Sequence, residues 1–162
     1  MLRRLEGKNI EDVISIGFVD KEDGVNVFYS DLRTLYFEFD NIYLKFESIN
    51  QYSTLKVNLE EKVNFEYEID EDMEYAISSI IDIVLIGRNM KGNILSKIIF
   101  YKKYIENNEI YCNACEIYLK NGQVIFLDPS FLCGISIGGI EKRNYFLNSL
   151  ENELEKSEIL FK

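Results

Sequence analysis

Leu35-Tyr36-Phe37-Glu38-Phe39-Asp40-Asn41-Ile42-Tyr43-Leu44-Lys45-Phe46 decides the fold class. Two apolar and aromatic runs, residues 35–39 and 42–46, stand on either side of Asp40-Asn41. Two residues of that type between two such runs are a good β-hairpin signal. Lys120-Asn121-Gly122-Gln123 carries the same message further along the chain. Asn-Gly accepts the positive φ angles of a type I′ turn, so the strands beside it are expected to pair antiparallel.

Outward from these turns the pattern is mostly of period two, which means strands. Residues 13–19 read as a first strand, followed by a turn at Asp20-Lys21-Glu22-Asp23-Gly24. Residues 54–59 read as another. In residues 63–69 the alternation is clean: Val63, Phe65, Tyr67 and Ile69 share one face, and Asn64, Glu66, Glu68 and Asp70 the other. That predicts a half-buried strand with an acidic outer surface. Around residues 72–81 the period changes. Met73, Ala76, Ile77, Ile80 and Ile81 sit at helical spacing, and Asp70 or Asp72 is placed to cap the start. A short helix is expected there, then a strand at 83–86 ended by Gly87. Further strands are expected at 94–101, 110–119, 123–127 and 133–137. In residues 140–156, Ile140, Phe146, Leu147, Leu150 and Leu154 recur at helical spacing, with Glu151, Glu153 and Glu155 on other faces. That predicts an amphipathic helix packed on the sheet.

The expected class is therefore α+β: a predominantly antiparallel sheet of about eight or more strands, a short middle helix and an amphipathic C-terminal helix. The chain has 162 residues, one proline (Pro129), no Gly/Ser-rich linker and no internal repeat, so a single globular domain over residues 1–162 is expected.

The chain contains no histidine. Histidine is the side chain best suited to proton shuttling and metal binding near neutral pH, so most common catalytic constellations are poor bets. A serine or cysteine nucleophile would lack its usual base, and no G-x-S-x-G motif occurs. No enzymatic activity and no cofactor are expected. Acidic residues number 28 against 18 basic ones, a net charge of −10. That charge repels nucleic acid and anionic lipid, and it favours fast capture of a cationic partner. The longest apolar stretch, residues 80–86, is broken by Asp82 and is too short to span a bilayer. No apolar core of a secretory signal follows the basic start. Three cysteines, an odd number, argue against a disulfide framework, and a cytoplasmic setting is expected.

The acidic residues are not spread evenly. Residues 57–86 hold nine of them (Glu60, Glu61, Glu66, Glu68, Asp70, Glu71, Asp72, Glu74 and Asp82) against Lys62 alone, leaving −8 of the total −10. This belt reads as a docking surface for a basic protein, because Arg and Lys recognise carboxylates and phosphates through the same charge-assisted hydrogen bonds. The competing reading, and the commoner one for a charge run, is a solvated face with an acid-rich helix start. A calcium loop at Asp70-Glu71-Asp72-Met73-Glu74 lacks the glycine such loops need at their turn. Cys112-Asn113-Ala114-Cys115 is a lone C-x-x-C; Cys133 and Asp128 would be needed to complete an unusual zinc set, and small buried thiols are the simpler expectation. The run Gly134-Ile135-Ser136-Ile137-Gly138-Gly139 before the last helix matches neither the P-loop nor the dinucleotide fingerprint. Tyr52 and Tyr104 are placed in stretches that read as exposed.

In size, acidity, absence of catalytic motifs and sheet-plus-helix build, the chain resembles the immunity proteins of bacterial polymorphic toxin systems, including contact-dependent growth inhibition. The hairpin of residues 35–46 and Glu116-Ile117-Tyr118-Leu119-Lys120-Asn121-Gly122-Gln123 carry that resemblance. It implies a non-enzymatic inhibitor whose partner is a cognate, basic, nuclease-type toxin domain, blocked by occlusion of its active site or substrate groove. The residues expected to meet that partner are Glu66, Glu68, Asp70, Glu71, Asp72 and Glu74. The alternatives are a phage anti-defence protein that mimics nucleic acid, a metal-dependent hydrolase using carboxylates alone, and an accessory domain of a larger assembly.

Overall fold

A computed structural model describes residues 1–86, 92–131, 134–150 and 154–162, with backbone alone at 130 and 131. In chain order the strands begin with β1 (Asp12–Glu22), β2 (Val25–Phe39), β3 (Ile42–Ile49), β4 (Thr54–Glu60) and β5 (Glu74–Ser79). The short helix α1 (Ile81–Val84) follows, then β6 (Leu95–Tyr101), β7 (Tyr104–Glu106), β8 (Glu109–Cys112), β9 (Ala114–Leu119), β10 (Val124–Phe131) and β11 (Gly134–Gly138). Helix α2 (Ile140–Asn148) and β12 (Lys156–Leu160) complete the chain. The strands form a seven-stranded sheet, β5-β1-β2-β3-β4-β8-β7, and a five-stranded sheet, β11-β10-β9-β6-β12. Every pairing in both is antiparallel, as the α+β class requires.

The turn chemistry explains the order of the first strands. Asp40 and Asn41 take φ of +46° and +59°, so Phe39 lies opposite Ile42 and the predicted hairpin forms. Asp23 and Gly24 do the same at +49° and +83°, which carries β1 on to Glu22 and starts β2 at Val25. The Asn121-Gly122 turn differs from its expected type: Gly122 alone has positive φ, +88°. The Asn121 side chain instead bonds Asn93 and the Gln123 N–H. The flanking β9 and β10 still pair antiparallel.

The two sheets face each other through one apolar core. Val13, Leu35, Phe37, Phe39, Leu44, Phe46, Leu55 and Val57 come from the first, and Leu95, Ile98, Phe100, Ile117, Leu119, Ile125 and Leu127 from the second. The intervening residues on each strand point to the two outer faces, and both outer faces are covered. Residues 61–73 cross the outer face of the larger sheet, with Val63, Phe65 and Tyr67 on Ile14, Ile16, Tyr36 and Tyr43. Phe146 and Leu147 of α2, with Leu154, pack on Tyr101, Ala114 and Phe126 of the smaller sheet.

Four expectations need correction. Residues 63–69 alternate in and out as read, yet they form no strand. Both flanks of β1 and of β4 are already occupied, by β2 and β5 and by β3 and β8, so the segment has no ladder to join there. It lies instead on the sheet face, its backbone held by side chains: the Tyr36 hydroxyl donates to the Asn64 carbonyl (3.1 Å), and that of Tyr75 to the Tyr67 carbonyl. Second, the helix expected at 72–81 and the strand expected at 83–86 are transposed. Residues 74–79 add to the open edge of β1, Val19 opposite Glu74 through Ile14 opposite Ser79, and the helical turn comes afterwards as α1. A helix at 74–79 would need a surface to bury its apolar stripe, but Tyr75 and Ile77 remain exposed here. Third, the strand expected at 110–119 is two, β8 and β9, one in each sheet, because the chain crosses between sheets at Asn113. Fourth, the last helix stops at Asn148, and Lys156–Leu160 pairs with β6 as an edge strand. Gly87, Cys133, Glu151 and Glu153 lie outside the described residues.

Candidate protein-binding surface

The centre of the larger outer face is a buried lysine. In β3 the core-facing residues are Leu44 and Phe46, so Lys45 between them points outward, under the covering segment, and is 1% exposed. A buried ammonium is costly unless paired. Lys45 Nζ donates to Glu66 Oε1 at 2.6 Å and lies 3.6 Å from Glu60 and 3.7 Å from Glu47. Glu60 also accepts from Asn64 (2.8 Å) and Asn58 (3.1 Å) and lies 3.3 Å from the Tyr36 hydroxyl. Burial alone would lower the Lys45 pKa. The Glu66 hydrogen bond and the neighbouring Tyr36, Glu47 and Glu60 reverse that and hold it above the usual lysine value. Burial pushes the Tyr36 phenol up to about 12. Lys45 therefore stays an ammonium that fastens the covering segment to the sheet.

This arrangement divides the acidic belt. Glu60 and Glu66 serve Lys45. Glu68, Asp70, Glu71, Asp72 and Glu74 are exposed, and none makes a side-chain ion pair with a described residue. They follow one another around the turn that closes with Met73 N–H on the Asp70 carbonyl and then open β5. Asp72 and Glu74 share a recess with Asp20, Lys21 and Asn26 at the β1–β2 hairpin. Of the six residues read as partner contacts, five are exposed along residues 68–74, and Glu66, itself about half exposed, is engaged by Lys45.

The smaller outer face also has one buried charge, of opposite sign. Glu116 of β9 is 1% exposed. It accepts from the hydroxyls of Tyr101 and Tyr118 (the latter at 2.6 Å) and faces the Arg143 guanidinium of α2 at 3.5 Å. Burial and the Glu116 hydrogen bond raise the Tyr101 phenol well above its ordinary range. One anion, one cation and two donors close this site.

Cys112 and Cys115 both face the core as free thiols, because the crossing at Asn113 turns them the same way. Burial pushes both thiols up, the opposite of what a redox or metal-binding cysteine needs. Asp128 stands 3.9 Å from Lys142. Among the described residues no three carboxylate or thiol side chains converge as a metal set. Tyr104 is exposed, stacked on Tyr111, while Tyr52 is half-buried. No described helix is long and apolar enough to cross a membrane.

Sequence reasoning missed Lys45 and Glu116. The signal for Lys45 was a lone cation in an apolar hairpin, at an outward position between Tyr43 and Glu47, in a chain with carboxylates to spare. Comparison of the chain with protein-family models, curated protein sequences and solved structures returned no match.

Proposed function

We propose that the chain is a non-enzymatic inhibitor: an immunity-type protein of the bacterial cytoplasm that binds a cognate basic toxin domain and occludes its substrate groove. The observation that carries the proposal is the run Glu68, Asp70, Glu71, Asp72 and Glu74, exposed and without ion pairs to described residues, on a segment that Lys45 fastens to the sheet. A fixed array of carboxylates loses less freedom on binding than a mobile acidic tail. It offers Lys and Arg of a nucleic-acid groove the contacts that phosphates would make. Glu66 belongs to this surface as the residue that positions it.

The test is capture from the host lysate at low and high salt, followed by co-expression of the captured protein with this chain. A basic protein released by salt, toxic alone and tolerated together with this chain, is the expected result. Protection that survives the triple reversal Glu68→Lys, Glu71→Lys and Asp72→Lys would place the contact on another face. A captured protein whose toxicity is unchanged by co-expression would contradict the inhibitor role.

A further inference from the structure

Resting on the acidic-surface proposal, we infer that the arm built from β1, β5 and the first half of β2 is a platform for arginine side chains of the partner. On its outer face Phe18 stands opposite Tyr29 of β2 on one side and Tyr75 of β5 on the other. The Phe18 and Tyr29 rings stack with centroids 5.4 Å apart and planes 22° from parallel. Tyr75 continues the aromatic surface into Phe65, at 4.7 Å, and Tyr67, at 5.6 Å. Tyr29 is 38% and Tyr75 45% exposed. The strands beneath the row lie close: a Cβ on Gly17 would fall 2.0 Å from the Tyr29 carbonyl oxygen, so only glycine lets β1 and β2 approach this closely.

Two carboxylates stand on the same face as these rings. Side chains two apart on a strand share a face, so Asp20 and Glu22 flank Phe18 on the same side. The Tyr29 hydroxyl donates to Glu22. Glu74 stands opposite Val19, so it turns to the other face of the arm, where it lines a recess with Asp72 and Lys21.

The combination selects the occupant by charge and shape. An apolar partner would cover the rings only by stripping water from Asp20 and Glu22 without replacing it. An anion would be repelled. A lysine ammonium satisfies the charge but is compact and strongly hydrated. A guanidinium is planar, lies flat on a ring and still presents N–H groups to carboxylates at the rim. The partner segment is therefore arginine-rich rather than merely basic.

Calorimetric titration with octa-arginine and octa-lysine separates these cases. Two stacked contacts predict that octa-arginine binds about tenfold more tightly. Both affinities fall with salt, but the ratio persists, because stacking is screened less than charge. Tyr29→Ala on the exposed arm, and Phe18→Leu as a second and milder variant, should bring the ratio close to one. Tyr104→Ala, which removes another exposed ring at the far edge of the same sheet, should leave it unchanged. Circular dichroism and thermal unfolding establish that each variant is folded. Equal affinities in the parent protein, or a ratio that survives both arm variants, overturn the inference. Equal affinities that still fall on reversal of Glu68 and Asp72 overturn it while leaving the acidic surface standing. Binding of neither peptide overturns both.

Discussion

The two outer faces of this molecule solve the same problem with opposite materials. Each buries one charge at 1% exposure, Lys45 on the larger sheet and Glu116 on the smaller. Glu116 is matched: one guanidinium and two phenols, under a regular helix. Lys45 is over-matched: Glu66, Glu60 and Glu47 all lie within 3.7 Å of a single ammonium, under a segment with no regular structure. A neutral, closed site has no charge left for a partner. A site with surplus carboxylate raises the negative field of its own face, and the five exposed acids that follow extend that field outward. The larger face thus carries the greater excess of carboxylate.

The largest effect is expected at the over-matched site. Lys45→Met leaves Glu60 and Glu66 without their cation beneath the segment and should cost about 4 kcal/mol in urea unfolding. It should also speed hydrogen exchange in residues 61–73. A cost below about 1 kcal/mol would mean that the segment is held by Val63, Phe65 and Tyr67 alone. Arg143→Met should cost less, about 2 kcal/mol, because Glu116 keeps its two phenols and Arg143 is already partly in water. Adding Glu116→Gln to that variant should recover part of the loss, and a double-mutant cycle measures how much.

High pH sharpens the comparison further. Tyr36, Tyr101 and Lys45 all have folded-state pKa values above their ordinary ones. Such groups contribute their full stability below the ordinary value and lose it as pH rises through the folded one. The buried thiols Cys112 and Cys115 therefore begin their loss above the ordinary thiol value of 9.0, while the phenols should leave stability unchanged below the ordinary tyrosine value of 10.0. Above it the loss should be on the order of 1 kcal/mol per unit of pH for each phenol. Urea unfolding across that range reads the loss, and Tyr36→Phe should remove the Tyr36 share between pH 10 and about 12. At the small end, Glu66→Gln should cost about 1 kcal/mol or less, because its carboxylate is half exposed and the hydrogen bond to Lys45 can persist through the amide.

The legible part of the fold is the part that local chemistry decides. Asp40-Asn41 can turn as one hairpin only, and the strands on either side follow. In residues 63–69 the alternation announced correctly which side chains go inward. It could not announce that the backbone partners would be the hydroxyls of Tyr36 and Tyr75 instead of a neighbouring strand, because those groups come from 28 and eight residues away. Residues 72–81 failed for a related reason: their spacing fits a helix, but the empty edge of β1 is a tertiary fact. The same holds for the C-terminus, where Leu150 and Leu154 continue a helical spacing that the chain abandons to supply β12 to the edge of β6. Of the candidate surface, the acidity was visible in the composition. The division of labour within it was not, since nothing local marks Glu66 as spoken for by Lys45.

The account stands or falls on whether location, and not net charge, makes the surface. The direct measurement is the affinity for octa-arginine of two triple reversals that change the net charge equally. One carries Glu68→Lys, Glu71→Lys and Asp72→Lys; the other carries Glu141→Lys, Glu155→Lys and Glu158→Lys, exposed positions on α2, β12 and the residue before β12. The account predicts that the first loses most of the binding and the second keeps it. Equal losses would mean that the chain attracts cations only as a uniformly acidic body, and would contradict the claim that it presents a built docking face.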